Sequence, residues 1–273
     1  MKRSRFSPLL FAVVSCAAAF AAGCGKDKPN SPAPPSSQIT RQAADDLAGQ
    51  FAHTLSQGGV PLNQLGSTTL QDVSSGRAPA TMLPGAGATK TSDEGSFSWS
   101  FSLRFFDADG NEQPSFELGT TASIRVAARA HGSFSNAENQ ATIGVDRSLD
   151  VQGLLPEETT LTIDGAVSDT ADCAYHDSDS SESRAYHFLG IGALTDVKQL
   201  KDKSANPYPL SGTANWDVTV DATATDESGP HEAHYHATVQ VTFNGTKHPT
   251  IEISETYRYE MDLDTGTVRP IPA

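Results

Sequence analysis

The chain has 273 residues and a formal net charge of −14 at pH 7, because 33 Asp and Glu residues outnumber 19 Lys and Arg residues. Nucleic-acid binding depends on phosphate contacts from Lys and Arg, and an acidic surface opposes it. The composition therefore predicts no nucleic-acid partner, and it favours solubility without indicating a fold.

The first 23 residues have the pattern of an export signal. Three basic residues precede an apolar run over residues 9–22, and small residues then lead into Cys24. A basic start, a short apolar segment and small residues before a cleavage site are typical of secretory signals. The run is shorter than the roughly 20 residues of a membrane-spanning helix. We therefore expect residues 1–23 to be removed; the alternative is a plain soluble signal in which Cys24 is incidental.

The Ala-Ala-Gly-Cys sequence that ends at Cys24 resembles the lipobox of bacterial lipoproteins, although that family prefers Leu at the position of Ala21. The resemblance implies cleavage before Cys24 and a diacylglycerol group on its sulfur, with the membrane as a partner through this lipid. Two or three acyl chains hold a protein stably on a membrane. Gly25 rather than Asp follows Cys24, and resemblance to sorted lipoproteins then implies the outer membrane of the cell envelope.

The cysteine pattern leaves one thiol in the mature body. Cleavage would remove Cys16 and lipidation would occupy Cys24, so Cys173 would remain alone. The sequence therefore predicts no intrachain disulfide in the mature protein. Acidic neighbours raise a thiol pKa rather than lower it, and we expect no catalytic role for Cys173.

A tether and one helix follow the lipidation site. Residues 24–38 are rich in Pro and Ser, which predicts an extended tether. Apolar residues recur every four positions over residues 39–57, which predicts an amphipathic helix packed on the body. Residues 58–94 are predicted to be an irregular linker, with a short helix near residues 62–65. The helical stripe consists of Ile39, Ala43, Leu47, Phe51 and Leu55, with Ala44, Ala48 and Ala52 beside it.

Residues 95–273 are predicted to form an antiparallel β domain. From residue 95 apolar and polar residues alternate with a period of two, which is typical of strands with one buried and one solvated face. We expect an all-β fold with one N-terminal helix, built as a meander of about eight long strands that forms a strongly bent sheet, a barrel or a sandwich. The lone helix favours a bent sheet with that helix against or inside it. Residues 184–194 are apolar on both faces and are predicted to be covered on both sides, and residues 251–263 are predicted to form one strand.

Four turn-and-strand segments resemble landmarks of uncharacterised β-rich bacterial envelope lipoproteins. They lie at residues 149–154, 208–213, 241–246 and 261–266. All four are signals of architecture. The resemblance therefore implies a shared fold and no particular chemistry.

A histidine-rich segment is the sharpest candidate for a site. Glu232, His234 and His236 would point to the same side of a strand, about 7 Å apart in turn, and His248 beyond the next turn is the candidate fourth residue. Imidazole and carboxylate groups are zinc ligands, so zinc is the only cofactor that the sequence suggests. The alternatives are a solvated strand face that happens to carry histidines and a pH-sensitive surface.

Two other motifs indicate turns. The acidic loop that starts at Asp107 lacks the spacing of a calcium-binding EF-hand, and Asp264-Thr265-Gly266 copies an aspartic-protease triplet without a second copy or a following lobe. We predict a hairpin turn for each and no catalytic residue in the chain. The sequence thus favours a lipid-anchored envelope protein with a structural or interaction role rather than an enzyme. The alternative is a module that binds an apolar ligand, such as a lipid or acyl chain, inside the bent sheet.

Overall fold

The computed structural model describes residues 41–56, 86–92, 95–135, 139–176, 183–226 and 229–272. These residues form one α-helix, α1 (Arg41–Ser56), and a twelve-stranded β-sheet, which confirms the predicted fold class. The strands are β1 (Ala86–Ser92), β2 (Gly95–Phe106), β3 (Glu112–Gln113), β4 (Ser123–Ser135), β5 (Asn139–Gln152), β6 (Thr160–His176), β7 (Ser183–Leu200), β8 (Ser211–Asp226), β9 (Gly229–Thr242), β10 (Thr250–Ile253), β11 (Tyr257–Asp262) and β12 (Thr267–Pro270).

The strands form a single antiparallel meander. The sheet order is β1-β2-β4-β5-β6-β7-β8-β9-β10-β11-β12, and β3 pairs only with the end of β2. Short connections place neighbours in sequence next to each other in the sheet. Within the described residues β1 and β12 are the two edges, so the strands form a single open sheet and not a closed barrel.

The two faces of the sheet differ in polarity, as the alternation predicts. On β5, Val145 and Leu149 are buried, whereas Thr142 and Ser148 are exposed. We call the buried side the inner face and the opposite side the outer face. Trp216 and its inner-face neighbours on β8 are buried, which confirms the core position predicted for this tryptophan; the side chains of Phe97, Trp99 and Phe101 lie outside the described part of the chain.

Helix α1 packs on the inner face, beside β10, β11 and β12. The Phe51 ring meets the Trp216 ring edge to face, with centroids 4.9 Å apart. The helix residues that face the sheet are each at most 6% exposed, and they are Ala44, Leu47, Ala48, Phe51, Ala52 and Leu55. The predicted amphipathic helix is thereby confirmed from residue 41 to residue 56, while Ile39 lies outside the described residues.

Polar contacts fix the first turn of α1 on β11. The Tyr259 hydroxyl donates to Oδ1 of Asp45 over 2.8 Å, and the Arg41 guanidinium lies 5.5 Å from the ring centroid of Tyr257. Burial raises the pKa of Tyr259, and the hydrogen bond to Asp45 raises it further by a smaller amount. The helix therefore has both an apolar and a polar attachment to the sheet.

Two predicted boundaries are wrong. Residues 86–92 form β1, which pairs with β2 from Ala86 to Ser92, instead of continuing an irregular linker. The small and polar residues of β1 give no alternation, and only the pairing with β2 identifies the strand. Residues 251–263 form two strands, because Ser254 and Glu255 have φ of 49° and 56° and reverse the chain between β10 and β11. The short helix predicted near residues 62–65 lies outside the described residues.

Strand β7 is covered on one face only, so the prediction for residues 184–194 is wrong. Phe188 and Leu194 are buried on the inner face, whereas Ile191 on the outer face is 57% exposed. An apolar residue on each face does not require cover on each face, because a folded protein keeps much apolar surface in water.

Gly165 is expected to be required at the bulge of β6. The register shifts between Ile163 and Gly165, and a Cβ at Gly165 would lie 2.3 Å from the Ser148 carbonyl oxygen and 2.9 Å from Cα of Leu149. Because backbone atoms cannot move aside easily, Gly165→Ala should lower the free energy of unfolding by about 1–3 kcal/mol, measured in urea. The control is Gly49→Ala on α1, where a Cβ meets nothing within 4 Å. Equal stability of the native protein and Gly165→Ala would contradict the tight approach.

Candidate functional site

Three imidazole–carboxylate pairs lie on the outer face of strands β6 to β9. Each pair joins a histidine to an aspartate of the neighbouring strand, and all six side chains are about half exposed or more. The pairs are His187 with Asp172, His234 with Asp221, and His236 with Asp217. The sequence predicts the two histidines of β9 on one face, but it does not predict the aspartates opposite them.

Four of these residues form a continuous row across the sheet. The strand register places Asp172 opposite His187, His187 opposite Asp221, and Asp221 opposite His234. Nδ1 of His187 lies 2.5 Å from Oδ1 of Asp172, and Nδ1 of His234 contacts Oδ1 of Asp221. Acid and imidazole thus alternate over four strands, within hydrogen-bond range at both ends of the row.

A cavity of about 810 Å³ opens beside this row, near the ends of the long strands. Asp172, His187 and Asp221 line it together with hydroxyl groups and one amide. Volumes of a few hundred to a thousand Å³ are typical of ligand sites, but those sites are mostly apolar and deeply enclosed. This cavity is open, and its lining combines polar groups with a larger share of apolar surface, so it offers hydrogen bonds beside apolar contact. The hydroxyl and amide residues of the lining are Ser96, Ser133, Ser135, Gln140, Thr142, Tyr186 and Thr223.

The row does not have the arrangement of a catalytic triad. Thr142 lies opposite Asp172, which lies opposite His187, so the hydroxyl neighbours the carboxylate instead of the imidazole. A hydroxyl nucleophile needs a hydrogen bond to its base. In this row the register therefore places carboxylates, and no hydroxyl, directly opposite the imidazole of His187.

The structure separates the four residues of the predicted zinc site. Glu232, His234 and His236 are exposed on the same face of β9, as expected. Thr250 pairs with Thr242 at the end of β9, and His248 lies beyond this pair. His236 is six residues before Thr242 on β9, so His248 is at least roughly 20 Å from it along the sheet. In the described ranges, no three His, Cys, Asp or Glu side chains stand ready to hold a metal ion. His248 is instead 3.9 Å from Glu260.

A buried ion pair on the inner face was not predicted. Arg147 of β5 and Asp169 of β6 have side chains 7% and 12% exposed, and Nη2 of Arg147 donates to Oδ1 of Asp169 over 2.6 Å. Nη1 of Arg147 also donates to the carbonyl oxygens of Asp146 and Ser168 over 3.1 Å. Burial raises the pKa of Asp169, and the guanidinium opposes that rise. In the sequence, the only indication of this pair is that a charged residue stands at a position of β5, and another at a position of β6, where the alternation predicts a buried side chain.

Cys173 is also on the inner face and is 5% exposed. In the full-length chain it is disulfide-bonded, whereas the sequence predicts a lone thiol only in the mature chain, after residues 1–23 are removed and Cys24 is lipidated. The second cysteine of this bond lies outside the described residues. The other cysteines of the chain are Cys16, which the predicted cleavage would remove, and Cys24, whose sulfur lipidation would occupy.

Both turn motifs are occupied by local contacts. The Asp107 carboxylate accepts hydrogen bonds from the side-chain amide of Asn111 and from the backbone N–H groups of Asp109 and Asn111. These bonds lower the pKa of Asp107, and the bond from the Asn111 side chain has the largest effect. Asp264 accepts a 2.9 Å hydrogen bond from the Tyr208 hydroxyl and lies beside Lys247. The turn predictions are confirmed at both sites.

Fold and site together define an all-β protein with one open antiparallel sheet, a helix on its inner face and a polar histidine–aspartate surface on its outer face. No protein-family model matches the chain, and no curated protein or solved structure is significantly similar to it. No helix in the described part of the chain is long and apolar enough to cross a membrane.

Proposed function

We propose that this protein is a lipid-anchored component of the bacterial cell envelope that acts through non-covalent contacts and not as an enzyme. Its tether would begin at lipidated Cys24 and end at α1, and the resemblance to sorted lipoproteins supports the outer membrane as its location. The observation that carries the proposal is the difference between the two faces of the sheet. The inner face packs against α1, and the outer face presents exposed imidazole and carboxylate groups.

The packing of α1 supports this function over the binding of an apolar ligand. A ligand inside the sheet would need the apolar surface around Trp216, and Phe51 of α1 already occupies that surface. Ile251, Ile253, Tyr259 and Met261 beneath the helix are at most 1% exposed. Mass spectrometry of organic extracts of the purified protein should therefore find no lipid in a 1:1 ratio to protein. A bound lipid at that ratio would favour the alternative function.

Lipidation is tested by growth with labelled palmitate. We expect label in the native protein and none in Cys24→Ala, because the thioether needs the sulfur of residue 24. Cys173→Ala is the matched control, since it removes the other cysteine of the predicted mature chain and should keep the label. Absence of label from the native protein would contradict the lipid anchor. Loss of label in Cys173→Ala but not in Cys24→Ala would mean that the lipid is attached at Cys173, which would also contradict the proposal.

A further inference from the structure

We propose that His234, His236 and Asp221 form a divalent-metal site on the outer face of the sheet. His234 and His236 are two residues apart on β9, about 7 Å along the strand, and Asp221 of β8 lies directly opposite His234. Two imidazoles and one carboxylate, with the remaining positions open to water, are a ligand set that suits zinc and other first-row metals.

The metal would lie between the side chains of His234 and Asp221. Nδ1 of His234 already contacts Oδ1 of Asp221. Zinc bonds of about 2.0–2.2 Å to nitrogen and oxygen require these two atoms to open to only about 3–4 Å. Both side chains are more than half exposed, so they can move without disturbing the core. The imidazole binds in its neutral form, through a ring nitrogen that carries no proton.

His236 supplies the third ligand after one rotation. Its Nε2 lies 2.7 Å from Oδ1 of Asp217, and its side chain is 54% exposed. Rotation about its side-chain torsions turns the ring from Asp217 towards the His234 side of β9 at little steric cost, since the side chain is more than half exposed. The Asp217 hydrogen bond is exchanged for a metal bond, which is why no three ligands converge before the metal binds.

The pair on β6 and β7 provides an internal comparison. His187 and Asp172 have the same exposed contact, but Ala185 and Leu189 stand where a second histidine would be needed on β7. A single imidazole–carboxylate pair cannot chelate an ion through three ligands. The proposal thus restricts the site to β8 and β9.

The test is a titration of the full-length protein, free of any histidine tag, with Co²⁺ and Zn²⁺. Binding of Co²⁺ is followed by its visible absorption, and binding of Zn²⁺ by competition. His234→Ala, His236→Ala and Asp221→Asn should each weaken binding at least about tenfold, since even outer-shell partners of a metal contribute about 10–100-fold. His187→Ala and Asp217→Asn are the matched controls, and each should stay within about twofold of the native protein.

Equal binding by the native protein and the His234→Ala/His236→Ala double variant would overturn the proposal and mean an adventitious ion only. A loss in Asp217→Asn without a loss in Asp221→Asn would also overturn this ligand set. All five positions are exposed, and unchanged circular dichroism of each variant separates a lost site from a lost fold. The outcome does not depend on lipidation, so this proposal and the proposed function can fail separately.

Discussion

Replacement of Arg147 by Met is expected to lower the free energy of unfolding by about 3–5 kcal/mol. The substitution keeps most of the side-chain volume but leaves the Asp169 carboxylate buried without its cation. Loss of one partner from a buried ion pair has a cost of this size, because the remaining charge is neither solvated nor paired. Urea unfolding of the native and variant proteins at pH 8 measures the difference.

The deficit of Arg147→Met should depend on pH. Burial already raises the pKa of Asp169 against the pull of Arg147, and removal of the guanidinium raises that pKa further. Between the unfolded pKa and the higher folded pKa the folded state binds more protons than the unfolded state, so stability falls as pH rises through this interval. The difference between native and variant stability should therefore be smaller at pH 4 than at pH 8.

Two controls separate the buried pair from charge effects in general. Arg125→Met breaks an ion pair with Asp150 in which both side chains are nearly half exposed, and it should cost less than about 1 kcal/mol. The double variant Arg147→Met/Asp169→Leu replaces the buried pair by apolar groups and should recover most of the loss. Equal effects of Arg125→Met and Arg147→Met, or a deficit that does not change with pH, would contradict the buried pair.

Phe51→Ala is expected to destabilise the protein by about 3–5 kcal/mol, the usual range for a buried phenylalanine. The side chain is 6% exposed and forms the edge-to-face contact with Trp216. Its truncation leaves a cavity between α1 and the inner face, and the single helix of the described chain has no other helix that can compensate. Urea unfolding, followed by the near-ultraviolet circular dichroism of the aromatic core, measures both the loss and the change around Trp216.

The matched control for Phe51→Ala is Leu118→Ala. Leu118 is 71% exposed, and surface substitutions of this kind usually change stability by less than about 0.5 kcal/mol. A Phe51→Ala protein as stable as Leu118→Ala would mean that α1 contributes little to the cover of the inner face. The inner face would then be open to an apolar ligand in the place of the Phe51 side chain.

The long strands can be predicted from sequence because each has one solvent-exposed and one buried face. The alternation of Val145, Leu149 and Val151 on β5 matches the observed burial, and the stripe from Leu47 to Leu55 matches the buried side of α1. In both cases a single periodic signal determines which side chains are covered. No knowledge of distant parts of the chain is needed.

The prediction failed where structure depends on pairing instead of periodicity. β1 has no apolar alternation and exists through its pairing with β2. The partners of His234 and His236 depend on the register of β8 against β9, which the residues of β9 alone do not reveal. Nearness in sequence predicts His248 beside them, but the pairing of Thr242 with Thr250 places it further along the sheet, beyond the end of β9.

The charges at Arg147 and Asp169 show a different limit. Their positions on β5 and β6 have the parity of the inner face, yet a charged residue is almost never fully buried unless it is paired. Taken one strand at a time, each charge looks like an interruption of the apolar pattern. Only the pairing of β5 with β6 shows that the two residues compensate each other.

The most direct test of the proposed anchor is the intact mass of the protein purified from cell envelopes, measured with and without a reducing agent. The account predicts a chain that begins at Cys24 and carries acyl groups there, with the same modification before and after reduction. A chain that retains residues 1–23, or one whose Cys24 is released from a disulfide by the reducing agent and carries no lipid, would contradict it.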